Sequence, residues 1–328
     1  APTQPARQTP SHTVHPPQVI CGVFKDNHAR YAAGAGHTFE LVTEMPALPF
    51  ERDGPAGTWL KIPMCYDALR RGAEFVFWSD ADSLFMDAAA SLPSLIPHSV
   101  QLAVSADHVS LANTGHYLLR RSPWAYEILS DWWSTYPPPE PADIAEQTSA
   151  TFIFSGSLPA CRQNTSLFEE PLGRCNTLAP SLSETVRILP QRTMNAYAVD
   201  DFIAQRVDPV SAAKSRGGPT GFRPGDMMIH FARPGITNLE NKVGYEVSRS
   251  GLMSAYAGLS LSPGRSVGER ASKQQALLAF HESILAGRSS VLTNKCYTSN
   301  STGCIETSLD GHLPDWAQKL PLKFGEGW

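Results

Sequence analysis

The sequence has 328 residues, 42% of them hydrophobic and 18% charged, and its 27 Lys and Arg residues against 31 Asp and Glu residues give a net charge of −4. These proportions exclude a wholly disordered chain, and the length is sufficient to bury a sizeable core. The near balance of charge argues against a nucleic-acid-binding protein that depends on a basic surface.

The N-terminal residues 1–18 are rich in proline and predict an extended, flexible leader. This segment lacks the apolar centre of a signal peptide, and no apolar run in the sequence approaches the roughly 18–20 residues that span a bilayer. We therefore expect any targeting or anchoring segment to lie outside the sequence given.

The cysteines indicate a cellular compartment. Two pairs each enclose a short polar segment that suits a local disulfide: Cys161 with Cys175, and Cys296 with Cys304. Glycosylation sequons at Asn164 and Asn300 fall inside the same two regions. Because disulfides and glycans both form in an oxidising lumen, the sequence predicts a protein of the secretory pathway.

Elements that alternate between strand and helix are predicted for the first third of the chain. The predicted elements are a strand at 18–24, a helix up to about 36, a strand at 38–42, a helix at 59–71 that stops at Gly72, and a strand at 74–78. This alternation is typical of an α/β protein with a parallel sheet.

The remainder of the chain predicts further strands, helices and a long loop. These are strands at 101–105, 117–119, 185–189 and 226–231, a helix opened by Ser122 and Pro123, an apolar segment at 147–154, a loop at 155–183 and an amphipathic helix at 272–286.

The most informative motif is Asp80-Ala81-Asp82, which follows the apolar strand at 74–78 directly. Side chains at the carboxyl ends of parallel strands line the crevice in which α/β proteins bind ligands. Carboxylates are hard oxygen ligands suited to Mg²⁺ or Mn²⁺, and a cation offsets the cost of burying them. The alternative is an acidic turn that caps the next helix.

A strand that ends in this motif is compatible with two enzyme classes. One is a phosphohydrolase of the haloacid dehalogenase type, with Asp80 as nucleophile. The other is a glycosyltransferase in which the two carboxylates hold a divalent ion against the diphosphate of a nucleotide-sugar. The motif lies far from the N-terminus and has Leu84 two residues after its second Asp, which favours the glycosyltransferase. A non-catalytic, glycan-binding protein remains a third possibility.

Four segments resemble glycosyltransferase family 34, which includes xyloglucan xylosyltransferases, galactomannan galactosyltransferases and fungal α-mannosyltransferases. The matching segments, which keep their order between residues 19 and 250, are TWLKIPMCYDALRRGAEFVFWSDADSLFMD, LANTGHYLLRRSPWAYEILSDWW, VRILPQRTMNAY and GDMMIHF. The resemblance implies a GT-A fold: an α/β, Rossmann-like nucleotide-sugar-binding domain with a mixed central sheet. It divides the chain into the leader at 1–18, a catalytic domain at 19–255 and a disulfide-braced C-terminal extension at 256–328.

The resemblance also implies roles for individual residues. Asp80, Asp82 and His230 would bind the metal, and this mixture of ligands favours Mn²⁺ over Mg²⁺. The donor-binding residues would be Gly22, Val23, Phe24, Tyr31, Lys61, Asp80, Ala81, Asp82 and Gly115. Beside the donor sugar would lie Asn113, Gln147 and Glu146, although Glu146 suits a solvated helix start equally well.

One departure from the family pattern concerns the cation expected near the diphosphate. Members of the family have a Lys shortly after the His-Phe strand, whereas here no Lys occurs before Lys242. Arg233 or Lys242 is the candidate to replace it.

The resulting hypothesis is a retaining glycosyltransferase that forms an α-linkage. The first candidate donor is UDP-galactose; UDP-xylose, UDP-arabinose and GDP-mannose are the others. The expected partners are the nucleotide-sugar donor and a glycan or glycosylated protein as acceptor, with no nucleic acid. The expected location is the Golgi lumen, as the ectodomain of a type II membrane protein whose anchor is absent from this sequence.

Overall fold

The computed structural model describes residues 18–42, 57–87, 89–107, 111–135, 145–156, 178–198, 221–232, 249–260 and 267–285. The leader, both predicted disulfides and both sequons lie outside these residues. None of the helices within the described part is long and apolar enough to cross a membrane.

Six helices and six strands in the described part organise the fold. The helices are α1 (Gln18–Ala35), α2 (Lys61–Arg70), α3 (Pro123–Ser134), α4 (Ala145–Ser155), α5 (Arg249–Leu259) and α6 (Val267–Leu285). The strands are β1 (Phe75–Ser79), β2 (Ser83–Phe85), β3 (Leu102–Ser105), β4 (Asn113–Arg120), β5 (Val186–Leu189) and β6 (Met228–His230).

The central sheet has the order β1-β4-β3-β5. Strand β4 pairs antiparallel with both β1 and β3, whereas β3 and β5 are parallel. The predicted α/β class with a mixed sheet is therefore confirmed, although the two pairings made by β4 correct the expectation of a parallel arrangement. A second, two-stranded sheet joins β2 to β6.

Most predicted elements are confirmed, and the ends of two helices have identifiable local causes. Helix α2 ends at Arg70, two residues before the predicted stop at Gly72, whose φ of +106° is a left-handed conformation that glycine adopts without strain. Helix α3 begins at Pro123, because the Ser122 side chain accepts a hydrogen bond from the backbone N–H of Ala125. The predicted strands at 74–78, 101–105, 117–119, 185–189 and 226–231 correspond to β1, β3, β4, β5 and β6.

The two strands predicted before residue 45 are wrong. Residues 18–24 form the first two turns of α1, and residues 38–42 form no strand. The buried residues Phe24, Asn27, His28 and Tyr31 recur every three or four positions, which is the period of a helix. The short apolar run at 18–24 is thus the start of a longer helical pattern.

Side chains of α1 attach this helix to β2. The Asn27 amide donates to the Phe85 carbonyl over 2.9 Å and accepts from the Phe85 N–H over 2.7 Å, as a neighbouring strand would. The Tyr31 ring stacks on the Phe85 ring with their centroids 3.6 Å apart. Helix α1 therefore covers the strand that follows the Asp80-Ala81-Asp82 motif.

Three hydrophobic clusters surround these sheets. The first cluster packs α2, α3 and α4 against one face of the central sheet. The second cluster packs α1 and the residues around 92–100 against the central sheet. The third cluster joins β2 and β6 to α5 and α6. The Trp132 indole N–H donates to the Glu146 carbonyl over 2.8 Å and so fixes the start of α4.

Candidate functional site

The three predicted metal ligands lie together at the junction of the two sheets. Asp80 follows the end of β1, Asp82 directly precedes β2, and the antiparallel β2–β6 pairing places Ser83 opposite His230. One ligand atom from each of Asp80, Asp82 and His230 lies within 4.8 Å of the others. Strand pairing thus brings His230, 148 positions later in the chain, to within 3.2 Å of Asp82.

The hydrogen bonds of His230 fit a metal ligand. Its Nδ1 lies 2.6 Å from the Asn195 side-chain oxygen, so Nδ1 carries the proton that is donated there. The other nitrogen, Nε2, then directs its lone pair at Asp82 Oδ1, 3.2 Å away. Because two acceptors cannot share this distance favourably, a second proton or a cation must lie between them. An imidazole whose other N–H is held by an oxygen is the usual arrangement of a protein metal ligand.

Asp80 is held from several directions. Its Oδ1 accepts from the Trp78 indole N–H over 2.7 Å and lies 3.2 Å from the Lys61 ammonium. Its backbone N–H donates to the Gly115 carbonyl over 2.8 Å, which fixes the motif on β4. The carboxylate is therefore oriented before any ligand binds.

Asp82 has a cationic neighbour that the sequence analysis did not single out. Arg249, the first residue of α5, donates from Nη1 to Asp82 Oδ2 over 3.2 Å. Burial opposes the ionisation of Asp82, but His230 and Arg249 outweigh it and lower the pKa of this carboxyl. Asp82 is therefore ionised at neutral pH and suited to bind a cation.

A buried lysine connects Asp80 to α4. Lys61 is 2% exposed, and its ammonium contacts Glu146 Oε1 at 3.0 Å and the Thr114 carbonyl at 3.1 Å in addition to Asp80. Burial disfavours both charges, yet Asp80 and Glu146 raise the pKa of Lys61, and Lys61 lowers the pKa of Glu146. The possibility that Glu146 is a solvated helix start is excluded, because this residue is 4% exposed.

The predicted sugar-binding residues share a buried carboxylate, Asp107. Its Oδ2 accepts from the Asn113 amide over 2.7 Å, from the Gln147 amide over 3.2 Å and from the Tyr197 hydroxyl over 3.2 Å. Since a carboxylate only accepts, both amides must turn their NH₂ groups to it. Their oxygens consequently face β4, where Asn113 accepts from the Gly115 N–H and Gln147 from the Thr114 N–H.

Because Gly115 has no side chain, it leaves a space between the side chains of Asn113, His230 and Asp80. A Cβ at this position would lie 2.8 Å from the Asn113 Oδ1, 3.0 Å from the His230 Cε1 and 3.2 Å from the Asp80 Oδ2. We expect Gly115→Ala to weaken Mn²⁺ binding by about 10–100-fold, the effect of disturbing the shell that orients metal ligands. The measurement is a titration of free Mn²⁺ by electron paramagnetic resonance.

Gly22→Ala is the matched control for that variant, because a Cβ at position 22 meets no atom within 4 Å. Its Mn²⁺ affinity should equal that of the wild type. An unchanged Mn²⁺ affinity in Gly115→Ala would contradict the assignment of this space to the metal ligands.

Other predicted donor-binding residues lie elsewhere or are not described. Gly22 is exposed on α1, Val23 is half-buried against the third cluster and Phe24 is buried beside His28, so the strand end assumed for these residues is corrected. The Tyr31 hydroxyl donates to the Ala90 carbonyl over 2.7 Å, which makes Tyr31 a packing residue of the second cluster. Arg233 and Lys242 lie outside the described residues.

Sequence reasoning missed two of the residues in this site. Asp107 follows β3 at the edge where Asp80 follows β1, and the same signal of an acidic residue after an apolar strand could have found it. Arg249 carries no comparable signal, because it opens a helix far along the chain and reaches Asp82 only through the packing of α5.

Comparison with known proteins connects the N-terminal part of the chain with one family. Residues 8–100 match the family described as the galactosyl transferase GMA12/MNN10 family, which is glycosyltransferase family 34. This matched segment includes Lys61, Asp80 and Asp82. The resemblance to this family that was predicted from the sequence is confirmed.

Individual relatives agree with the family match. Probable glycosyltransferase 3 of Oryza sativa subsp. indica is 36% identical over 110 residues, which are 29% of this chain and 22% of the rice protein. Xyloglucan 6-xylosyltransferase 2 of Arabidopsis thaliana is 33% identical over 107 residues, with the same shares covered. The chain thus spans about a fifth of the length of the curated relatives it matches.

Among solved structures, the chain is similar to a glycosyltransferase involved in the glycosylation of the major capsid of PBCV-1. The similarity has a TM-score of 0.40 at 14% identity and covers 75% of this chain and 96% of that protein.

Proposed function

We propose that this chain, whose residues 8–100 match glycosyltransferase family 34, is a metal-dependent, retaining glycosyltransferase. It transfers a sugar from a nucleotide-sugar to a glycan or a glycosylated protein and forms an α-linkage. UDP-galactose is the first candidate donor, followed by UDP-xylose, UDP-arabinose and GDP-mannose. The location that we propose is the lumen of the Golgi.

The contact between His230 and Asp82 is the observation that carries this proposal. The His230 Nε2 and an Asp82 carboxylate oxygen lie 3.2 Å apart, and Asp80 adds a second carboxylate to the same cluster. Oxygen and imidazole ligands together suit Mn²⁺. When bound there, a divalent ion would neutralise the charge that develops on the leaving diphosphate.

The remaining residues bind and orient the donor in this proposal. Lys61 holds Asp80 in place, and Asp107 turns the amides of Asn113 and Gln147 towards β4 beside the sugar. Glu146 forms a buried ion pair with Lys61, and this pairing makes the Glu146 carboxylate a weaker covalent nucleophile. This pairing favours departure and attack on the same face of the sugar over a covalent intermediate.

A donor panel tests the proposed function. The purified protein is incubated with UDP-galactose, UDP-xylose, UDP-glucose, UDP-arabinose and GDP-mannose, each with Mn²⁺ and with EDTA, and free nucleoside diphosphate is measured. We expect slow release from one donor with Mn²⁺ only. Release of inorganic phosphate from small phosphoesters would instead support the phosphohydrolase, and glycan binding without nucleotide affinity would support a non-catalytic protein.

A further inference from the structure

Arg249 occupies an unusual position beside the metal ligands. Its side chain is 29% exposed, and within the described residues its one hydrogen-bond partner is Asp82, whose side chain is 23% exposed. Lys61, the other cation at the cluster, is 2% exposed and contacts three acceptors. Lys61 is therefore fixed in place, whereas Arg249 can turn towards solvent.

The net charge around Arg249 changes sign when a divalent cation binds to the cluster. Among the described residues, the three carboxylates of Asp80, Asp82 and Glu146 face the cations Lys61 and Arg249, so these five groups sum to one negative charge. A divalent cation at Asp82 reverses this sign and is repelled by the guanidinium that contacts the same carboxylate. The reversed net charge then attracts an anion.

We propose that Arg249 exchanges partners: it neutralises Asp82 in the cation-free protein and contacts the diphosphate of the donor once a divalent cation is bound. This inference rests on the proposed function and assigns Arg249 as a donor-binding residue. A guanidinium suits this exchange because its planar set of N–H donors matches carboxylate and phosphate oxygens equally well. Arg249 is the first residue of α5 and its side chain is 29% exposed, so a rotation of the side chain can move the guanidinium away from Asp82.

The exchange predicts effects of opposite sign on two affinities. In Arg249→Met, Mn²⁺ alone should bind about 2–5-fold tighter, because the competing surface ion pair is lost. UDP at saturating Mn²⁺ should bind at least about 10-fold weaker, because a charged hydrogen bond to phosphate is lost. Mn²⁺ binding is measured by electron paramagnetic resonance and UDP binding by calorimetry.

Arg270→Met is the matched control. Arg270 pairs with Asp87 at 3.0 Å, and its side chain is 31% exposed, yet this pair lies outside the metal-ligand cluster. Neither affinity should change in that variant. Arg249→Lys keeps the charge but lacks the planar donor set, so its Mn²⁺ affinity should stay near that of the wild type while its UDP affinity falls partway.

Each outcome bears on the inference. Opposite changes in the two affinities of Arg249→Met support it. A UDP affinity that is unchanged in both Arg249 variants overturns it and leaves the proposed function intact, as does a fall in both affinities of folded Arg249→Met. A wild-type protein that binds neither Mn²⁺ nor UDP overturns the inference together with the proposed function.

Discussion

Replacing Asp82 by Asn, or His230 by Gln, should lower Mn²⁺ affinity by at least about 100-fold and abolish Mn²⁺-dependent release of nucleotide. The loss exceeds that for residues that only orient a ligand, where about 10–100-fold is typical, because these variants remove a ligand atom itself. Asp82→Asn removes a charge from a side chain that is 23% exposed, so the folded structure should persist. Mn²⁺ titration and the rate with the preferred donor are the measurements.

Asp67→Asn is the control for these ligand variants. Both oxygens of Asp67 also contact arginines, Arg70 at 2.9 Å and Arg71 at 2.8 Å, but they do so near the C-terminal end of α2, outside the metal-ligand cluster. Its Mn²⁺ affinity should match that of the wild type. Full Mn²⁺-dependent activity in folded Asp82→Asn or His230→Gln would remove that residue from the metal site.

Lys61→Met should lower the free energy of unfolding by about 3–5 kcal/mol, the cost of leaving a buried charge without its partner. Glu146, which is 4% exposed, would then face the apolar Met side chain. Adding Glu146→Gln removes that isolated charge, so the double variant should be more stable than Lys61→Met alone. Urea denaturation of the four proteins of this cycle measures the coupling between the two residues.

The same pair predicts how stability depends on pH. The folded-state pKa of Glu146 is lowered, so its contribution is present above the ordinary carboxyl pKa and is lost as the pH falls through the folded value. The pKa of Lys61 is raised, so its contribution is complete below its ordinary pKa and is lost as the pH rises through the folded value. A Lys61→Met variant as stable as the wild type would contradict the buried ion pair.

The metal ligands could be predicted because part of their signal is local. Asp80 and Asp82 follow an apolar strand directly, and strand ends are where α/β proteins place ligand-binding groups. The position of His230 depends on the pairing of β2 with β6, which only the family resemblance indicated in advance. The contact with Asp82 then follows from the register of that pairing, with Ser83 opposite His230.

The start of the first helix and the role of Arg249 could not be predicted, for two different reasons. The apolar residues at 18–24 suit a buried strand or a buried helix equally well, and only the continuation of the pattern through Asn27, His28 and Tyr31 decides between them. Arg249 reaches Asp82 across 167 positions of sequence through the packing of α5, and a single sequence carries no information on that contact.

In the proposed function, His230 and the diphosphate of a nucleotide-sugar would both bind the same divalent ion. Pulsed electron paramagnetic resonance of the protein with Mn²⁺ and UDP tests it most directly, because both neighbours of the ion appear in one spectrum. We expect a ¹⁴N coupling from one directly bound imidazole, absent in His230→Gln, together with a ³¹P coupling from the diphosphate. A spectrum in which the bound Mn²⁺ shows ³¹P coupling but no imidazole nitrogen, or neither coupling, would contradict the account.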